Sequence, residues 1–332
     1  MSEKTVQDVA TMPMCWVITD RAAGHQRQAL ALAGALGLPT RHLVLEPRAP
    51  WAWFAPRRLP GGRLALTPAA RRLFAPPWPA LAIGCGRGAA LLTRLLGRLQ
   101  PDCYRVQLLD PRIAPGHWDC VIAPAHDRLA GANVLTTLGA LNPIDDDWLA
   151  AGRAAFPALA ALPAPRLGVL LGGPRRDLAF DEAYVDALAA RLRTWVAGSG
   201  GSLLTVASRR TPPALARRLR AALSALPGLH WTGAGDGPNP YQGVLGWADR
   251  LLVTPDSVSM LSEACAVGCP VASFAPAPLP AKLERLHRAL RAGGHLGDLD
   301  QDRRVPPLRE AGVIAQAVLD RFAARASPGR AS

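Results

Sequence analysis

Short apolar runs alternate with longer amphipathic stretches from residue 15 onward. Cys15–Thr19 reads as a strand and is followed by the polar turn Asp20–Gly24. His25–Leu36 is helical, with Leu30, Ala33 and Leu36 on one stripe and Gly37 and Pro39 closing it. His42–Leu45 is the next strand. After an interruption the rhythm resumes with strand Ala80–Ile83, the glycine-rich turn Gly84–Gly88 and helix Ala89–Leu99. Tyr104–Leu109, Asp119–Ala123 and Asn133–Thr136 are three further strands. A second series runs through strand Leu167–Leu171, helix Asp181–Ala197, strand Ser202–Ala207, helix Pro212–Ala225 and the short strand Leu229–Trp231. It continues with strand Arg250–Val253, helix Ser257–Val267 and strand Val271–Phe274, then helices near Pro280–Ala292 and Arg309–Ala324. Strand–helix alternation of this kind predicts open, mainly parallel sheets covered by helices, an α/β class.

The chain has 332 residues, which at about 150 residues per domain suggests two domains. Ala154–Pro165, apolar and punctuated by proline, reads as their connection. The expected organisation is a flexible start over 1–12, a first doubly wound Rossmann-like domain over 13–160, a second over 161–305, and a C-terminal helix with a frayed tail over 306–332. Ligands of such domains are expected in the cleft between them, at the carboxyl ends of the strands.

Composition narrows the classes. Apolar residues make up 49% and charged residues 19%, a globular profile rather than a disordered one. The formal charge is +13, carried by arginine, since lysine occurs only at Lys4 and Lys282. A positive field attracts phosphates and acidic headgroups. With no dense basic tract and no interleaved aromatic motif, nucleic acid is not an expected partner. The uncharged stretch Ala264–Ala281 is broken by Pro270, Pro276, Pro278 and Pro280, so no membrane-spanning helix is expected there. The first twelve residues lack the apolar core of a secretory signal. A cytoplasmic location is therefore expected, with the inner membrane face as the place for any peripheral attachment. Six scattered cysteines form no C-x-x-C pair and read as buried thiols, so no metal site is expected.

The richest chemistry lies in Leu251–Ala264, where a strand runs through Thr254-Pro255-Asp256-Ser257 into a helix. Asp256 or Ser257 is a good N-cap. The first-turn amides and the helix dipole form an anion site, to which Ser257 and Ser259 add hydroxyls. Glu263 lies on the face of Ser259, about 6 Å further along the helix axis, where a carboxylate suits the two hydroxyls of a ribose. The alternative is an ordinary capped helix with Glu263 solvated. Two other strand-end turns offer anion donors: Gly172-Gly173-Pro174-Arg175 and Ser208-Arg209-Arg210-Thr211. In the first domain, His25 sits at a helix N-terminus, which favours the neutral imidazole needed in a general base. His126-Asp127 ends another strand and is the second titratable pair. Gly84-Cys85-Gly86-Arg87-Gly88 does not match a dinucleotide fingerprint, because its third glycine comes one residue early. Trp51–Trp78, with Trp53, Phe54 and several arginines, reads either as an anionic-membrane docking segment or as a locally packed excursion.

The blocks TDRAAGHQRQALALA (19–33), VIAPAHDRLAGANVLTTLGALN (121–142), LLGGP (170–174), SRRTP (208–212) and NPYQGVLGWADRLLVTPDSVSMLSEACAVGCPV (239–271) resemble the elongated-mitochondria, or mitochondrial-fission, family. That family is linked in plants to recruiting a dynamin-type GTPase, and has many bacterial members, of which this chain resembles one. The family is in turn similar to GT-B glycosyltransferases, with two Rossmann-like domains facing across a cleft. The resemblance implies that Gly24-His25 lies near an acceptor and that Ser262-Glu263 starts a nucleotide-sugar helix. Two family features are displaced here: Asp20-Arg21-Ala22 stands where Asp-Gly-Arg is usual, and Cys269 where Lys is usual.

Together these readings give a metal-independent, glycosyltransferase-like protein that binds a nucleotide diphosphate-sugar and passes the sugar to a cell-envelope or lipid-linked acceptor. His25, or Asp127 in its place, is the expected base. Gly172, Gly173, Ser208, Arg209, Arg210, Thr211, Ser257 and Ser259 are expected to hold the diphosphate, and Glu263 the ribose. No cofactor beyond the donor sugar is expected. The rival readings are a non-catalytic scaffold and a sugar-nucleotide epimerase.

Overall fold

The computed structural model describes residues 12–301 and 305–326. Of the flexible start expected over 1–12 and the frayed tail expected over 325–332, residues 1–11 and 327–332 lie outside that range, while Arg325 and Ala326 are helical. Two compact units are present. The described residues up to Thr137, with Leu141–Pro143 and those from Glu310 on, form the first; Leu138–Ala140 and Ile144–Arg309 form the second.

In the first unit the order is β1 (Cys15–Thr19), α1 (Ala23–Leu36), β2 (Thr40–Val44), α2 (Trp51–Phe54), α3 (Pro68–Leu73), β3 (Leu81–Cys85), α4 (Arg87–Leu99), β4 (Tyr104–Leu108), β5 (Cys120–Pro124) and β6 (Val134–Thr137). Its six strands pair in the order β2-β1-β3-β4-β5-β6, all parallel. The strand period of two is visible in the packing. Cys15 and Val17 join Leu81, Ile83 and Val106 on one face, while Trp16 and Ile18 join Ala82, Leu92 and Leu96 on the other. Both faces are covered, as a parallel sheet requires.

The second unit continues with α5 (Asp146–Ala155), β7 (Arg166–Leu171), α6 (Glu182–Ser199), β8 (Ser202–Ala207), α7 (Pro213–Leu223), β9 (Gly228–Trp231), α8 (Tyr241–Trp247), β10 (Arg250–Val253), α9 (Val258–Val267), β11 (Val271–Ser273) and α10 (Ala281–Ala292). Its five strands run β11-β10-β7-β8-β9, again all parallel. In chain order within the unit this is the 3-2-1-4-5 winding of a Rossmann sheet, which reverses between β7 and β10. Leu167 and Val169 face one core and Leu170 the other.

Three features depart from the expectations. Ala154–Pro165 is not a linker: it lies inside the second unit, spanning the end of α5 and a 3-10 turn at Pro157–Ala161, with Leu159 buried in that unit's core. Its small apolar residues and prolines serve packing. Helices α5 and α8 also stand where no helix was expected. Asp145 caps α5 by accepting from the Trp148 amide at 2.7 Å. Finally, α11 (Ala311–Ala326) packs on the first unit against α1, with Ile314, Ala315 and Val318 in the core beside Ala29 and Leu32.

The tryptophan-rich excursion splits in two. Phe74 is buried, and it and Trp78 pack against Trp16 with centroids 5.8 and 5.7 Å away. Trp53 and Phe54, by contrast, are 73% and 50% exposed. Among the described residues, no helix is long and apolar enough to cross a membrane.

Candidate functional site

In both sheets the reversal of strand order leaves a crevice at the carboxyl ends of two strands, where ligands of α/β proteins bind. In the second unit these are β7 and β10. Thr254-Pro255-Asp256 follows β10, and Ser257 caps α9 by accepting from the Met260 amide at 3.3 Å. A Pro-Asp-Ser turn folds this way because proline fixes one φ and the serine offers a local acceptor. Among the described residues, the Val258 and Ser259 amides of that first turn have no protein acceptor, and the Ser259 hydroxyl has no protein partner. These donors point out of a helix start that is half-buried.

Asp256 was expected as a capping residue; the structure makes it the hub of the crevice. Its carboxylate is fully buried and pairs with Arg210. It also accepts from the Gly173 amide at 3.0 Å and from the Thr254 hydroxyl at 2.6 Å. Thr254 in turn accepts from the Gly172 amide at 2.7 Å. The two glycines are needed here because a Cβ on Gly172 would strike the Asp256 carboxylate, and one on Gly173 would strike the Arg210 carbonyl. This corrects the expectation for Gly172 and Gly173: their bare backbone is approached by protein, and both amides are already engaged. A sequence offers no sign of this, since Gly173 and Asp256 are 83 positions apart.

The Ser208–Thr211 turn is likewise closed on itself. The Thr211 hydroxyl accepts from the Ser208 amide at 2.9 Å and donates to carbonyls at the end of β7, so these two residues hold the turn. Arg209 is exposed, and Arg210 is half-exposed behind its contact with Asp256. Arg175, one of the anion donors expected of the Gly172–Arg175 turn, donates to the Asp256 carbonyl at 3.2 Å and so stands at the entrance to α9. Glu263 is buried and accepts from the Tyr241 hydroxyl of α8. Ser262 is fully buried, accepting from the Ala140 amide and donating to the Val258 carbonyl, both at 2.8 Å. Beneath the turn lies His287 of α10. Burial, with the nearby Arg291, pushes its imidazole down to about 4, against the smaller pull of Glu284 and the Pro255 backbone.

In the first unit the reversal falls between β1 and β3. His25 stands in the first turn of α1, and its Nδ1 lies 2.9 Å from both oxygens of Asp20. Asp20 also accepts from the Ala22 amide at 2.9 Å, which fixes the carboxylate. With Nδ1–H donating to Asp20, the lone pair sits on Nε2, for which no described residue is a partner. Gly86, at φ +94° before α4, makes room: a Cβ there would lie 2.7 Å from Nδ1 of His25. The expected helix-start histidine is therefore held by a carboxylate that the sequence reading passed over, although Asp20 is only five residues away. Asp127, the alternative base, has a buried side chain 3.9 Å from Nε2 of His126.

Two all-parallel Rossmann-like units of this kind define an α/β protein of the GT-B type. Solved structures share this fold. The UDP-GlcNAc 2-epimerase of Methanocaldococcus jannaschii superimposes with TM-score 0.54 at 12% identity, covering 93% of this chain and all of the other. Os79 from O. sativa, solved with U2F and trichothecene, superimposes with TM-score 0.53 at 14% identity, covering 93% and 92%. In sequence, the chain belongs to the mitochondrial fission ELM1 family, whose model matches residues 23–322. It is 29% identical over 288 residues to the mitochondrial fission protein ELM1 of Arabidopsis thaliana, an alignment spanning 77% of this chain and 67% of that one.

Proposed function

We propose that this protein binds a nucleotide diphosphate-sugar at the start of α9 and transfers the sugar to an acceptor hydroxyl, with His25 as the base. The observation that carries the reading is the open first turn of α9: among the described residues, two amides without protein acceptors and the Ser259 hydroxyl, set at the strand-order reversal and flanked by Arg175 and Arg210. Helix-start amides and guanidinium groups suit a diphosphate and stabilise it as a leaving group. Nε2 of His25 takes the acceptor proton, the acceptor oxygen bonds to the sugar, and the nucleoside diphosphate departs. Asp20 steadies the imidazolium that forms. Glu263 takes the ribose by sharing or replacing the Tyr241 hydroxyl. The acceptor belongs to the cell envelope or is lipid-linked. The UDP-GlcNAc and UDP bound in a structure of the M. jannaschii epimerase support a uracil nucleotide as the first donor to try.

The engaged amides of Gly172 and Gly173 and the Tyr241–Glu263 contact favour a second reading, a scaffold that keeps the fold without turnover. Titration calorimetry with UDP and UDP-sugars asks whether the site exists, and binding without turnover on any acceptor leaves the scaffold standing. Turnover without any acceptor identifies an epimerase instead. Glu263→Ala is expected to weaken nucleoside diphosphate binding by about 1–3 kcal/mol, the loss of a charged hydrogen bond. Unchanged affinity removes Glu263 from the ribose role.

A further inference from the structure

The first unit carries a surface cavity of about 520 Å³ in which basic side chains converge from three separate segments. Arg57 and Arg58 come from the connection after α2, Arg94 and Arg98 from successive turns of α4, and His117 from the turn before β5. The remaining lining is Leu59, Pro60 and Ile113, and no carboxylate is among it. We infer that this cavity is an oxyanion site built to take a phosphoryl group.

Three observations support it. In the second unit Arg218 pairs with Glu182 and Asp186, Arg191 with Asp300 and Arg220 with Asp236. The side chains of Arg57, Arg58 and Arg98 have neither an ion pair nor a hydrogen bond to any described residue. Second, the cluster is held in place. Arg94 donates to the Pro56 carbonyl at 2.7 Å, and Arg87, two turns before it, donates to the Ala55 carbonyl at 3.0 and 2.8 Å. These bonds fasten the excursion to α4 and hold like charges together. Third, the repulsion is unrelieved. Burial, then Arg98 and Arg105, lowers the Arg58 guanidinium from its ordinary range; burial, then Arg58 and Arg98, does the same to Arg94. His117 is lowered by burial and then by Arg94, Arg58 and Arg105. A bound phosphoryl group removes that repulsion and meets planar donors of matching geometry.

A phosphoryl oxyanion reaches such a site either as a soluble phosphate compound or as a lipid headgroup, and the exposed Trp53 and Phe54 lie in the same excursion. Titration calorimetry with inorganic pyrophosphate tests the site. R58Q/R98Q is expected to bind at least about tenfold more weakly than the wild type, the loss of charge-assisted hydrogen bonds. R217Q/R288Q, which removes two arginines elsewhere, leaves the affinity unchanged. Equal affinity of wild type and R58Q/R98Q overturns the inference, as does an equal loss in R217Q/R288Q. Loss in S257A/S259A alone also overturns it and assigns the binding to α9. Should R58Q/R98Q fail to fold, R57Q carries the same test with a smaller loss. Flotation with phosphatidylcholine vesicles, with and without phosphatidic acid, then names the source. Flotation that needs phosphatidic acid and is lost in R58Q/R98Q and in W53A/F54A identifies a headgroup. Pyrophosphate binding without flotation identifies a soluble phosphate.

Discussion

The two strand-order reversals of this protein have the same topology and opposite chemistry. At the first, between β1 and β3, one carboxylate and one imidazole meet over Gly86, and among the described residues the imidazole's second nitrogen has no partner. At the second, between β7 and β10, the Asp256 carboxylate turns inward and engages an amide, a hydroxyl and a guanidinium of its own chain. A crevice offered by the fold becomes a site only where local side chains leave donors or acceptors unused. In the second unit that condition is met one turn further on, at the start of α9.

The largest effect is expected at the glycines of the second crevice. Gly173→Ala places a Cβ against the Arg210 carbonyl, a contact that only backbone movement relieves. The expected loss is about 4 kcal/mol or failure to fold, read by urea denaturation. A mild effect means that the second crevice is loose, and Gly172 and Gly173 return as candidate ligand contacts.

The pH dependence of stability is expected to come next in size. His287 titrates at about 6.5 when unfolded and about 4 when folded. Its burial as a neutral ring therefore contributes full stability above pH 6.5. That contribution is lost as the pH falls from 6.5 toward 4, to a limit of about 3 kcal/mol. Thermal melts across that range measure the slope, and H287M should flatten it.

A smaller effect sets the two carboxylates side by side. Asp256→Asn is expected to cost about 2 kcal/mol, because it weakens a buried charged network. Asp20→Asn, in a half-exposed pair, costs under about 1 kcal/mol and acts on turnover instead, by releasing the His25 ring. Equal destabilisation by the two, measured by denaturant titration, erases the distinction. Gly86→Ala is expected to cost about 1 kcal/mol, for a left-handed backbone position. On the proposed function, its sugar-transfer rate nonetheless falls with that of Asp20→Asn, since the new methyl group displaces the imidazole. A normal rate removes His25 as the base.

Much of this molecule was legible in its sequence. Strand alternation gave two parallel sheets, and long ordered blocks gave the family. Serine before Val258 marked a capped helix, and His25 stood out at a helix start. These are properties of neighbours along the chain, fixed by periodicity and by capping within a few residues. What only tertiary structure decided is which polar groups meet. Asp256 closing on Gly173 and Arg210, Tyr241 on Glu263, and the return of α11 to the first unit all join residues far apart in sequence. No local pattern encodes such pairings, because they arise when strands of one sheet come into register and bring their terminal loops together.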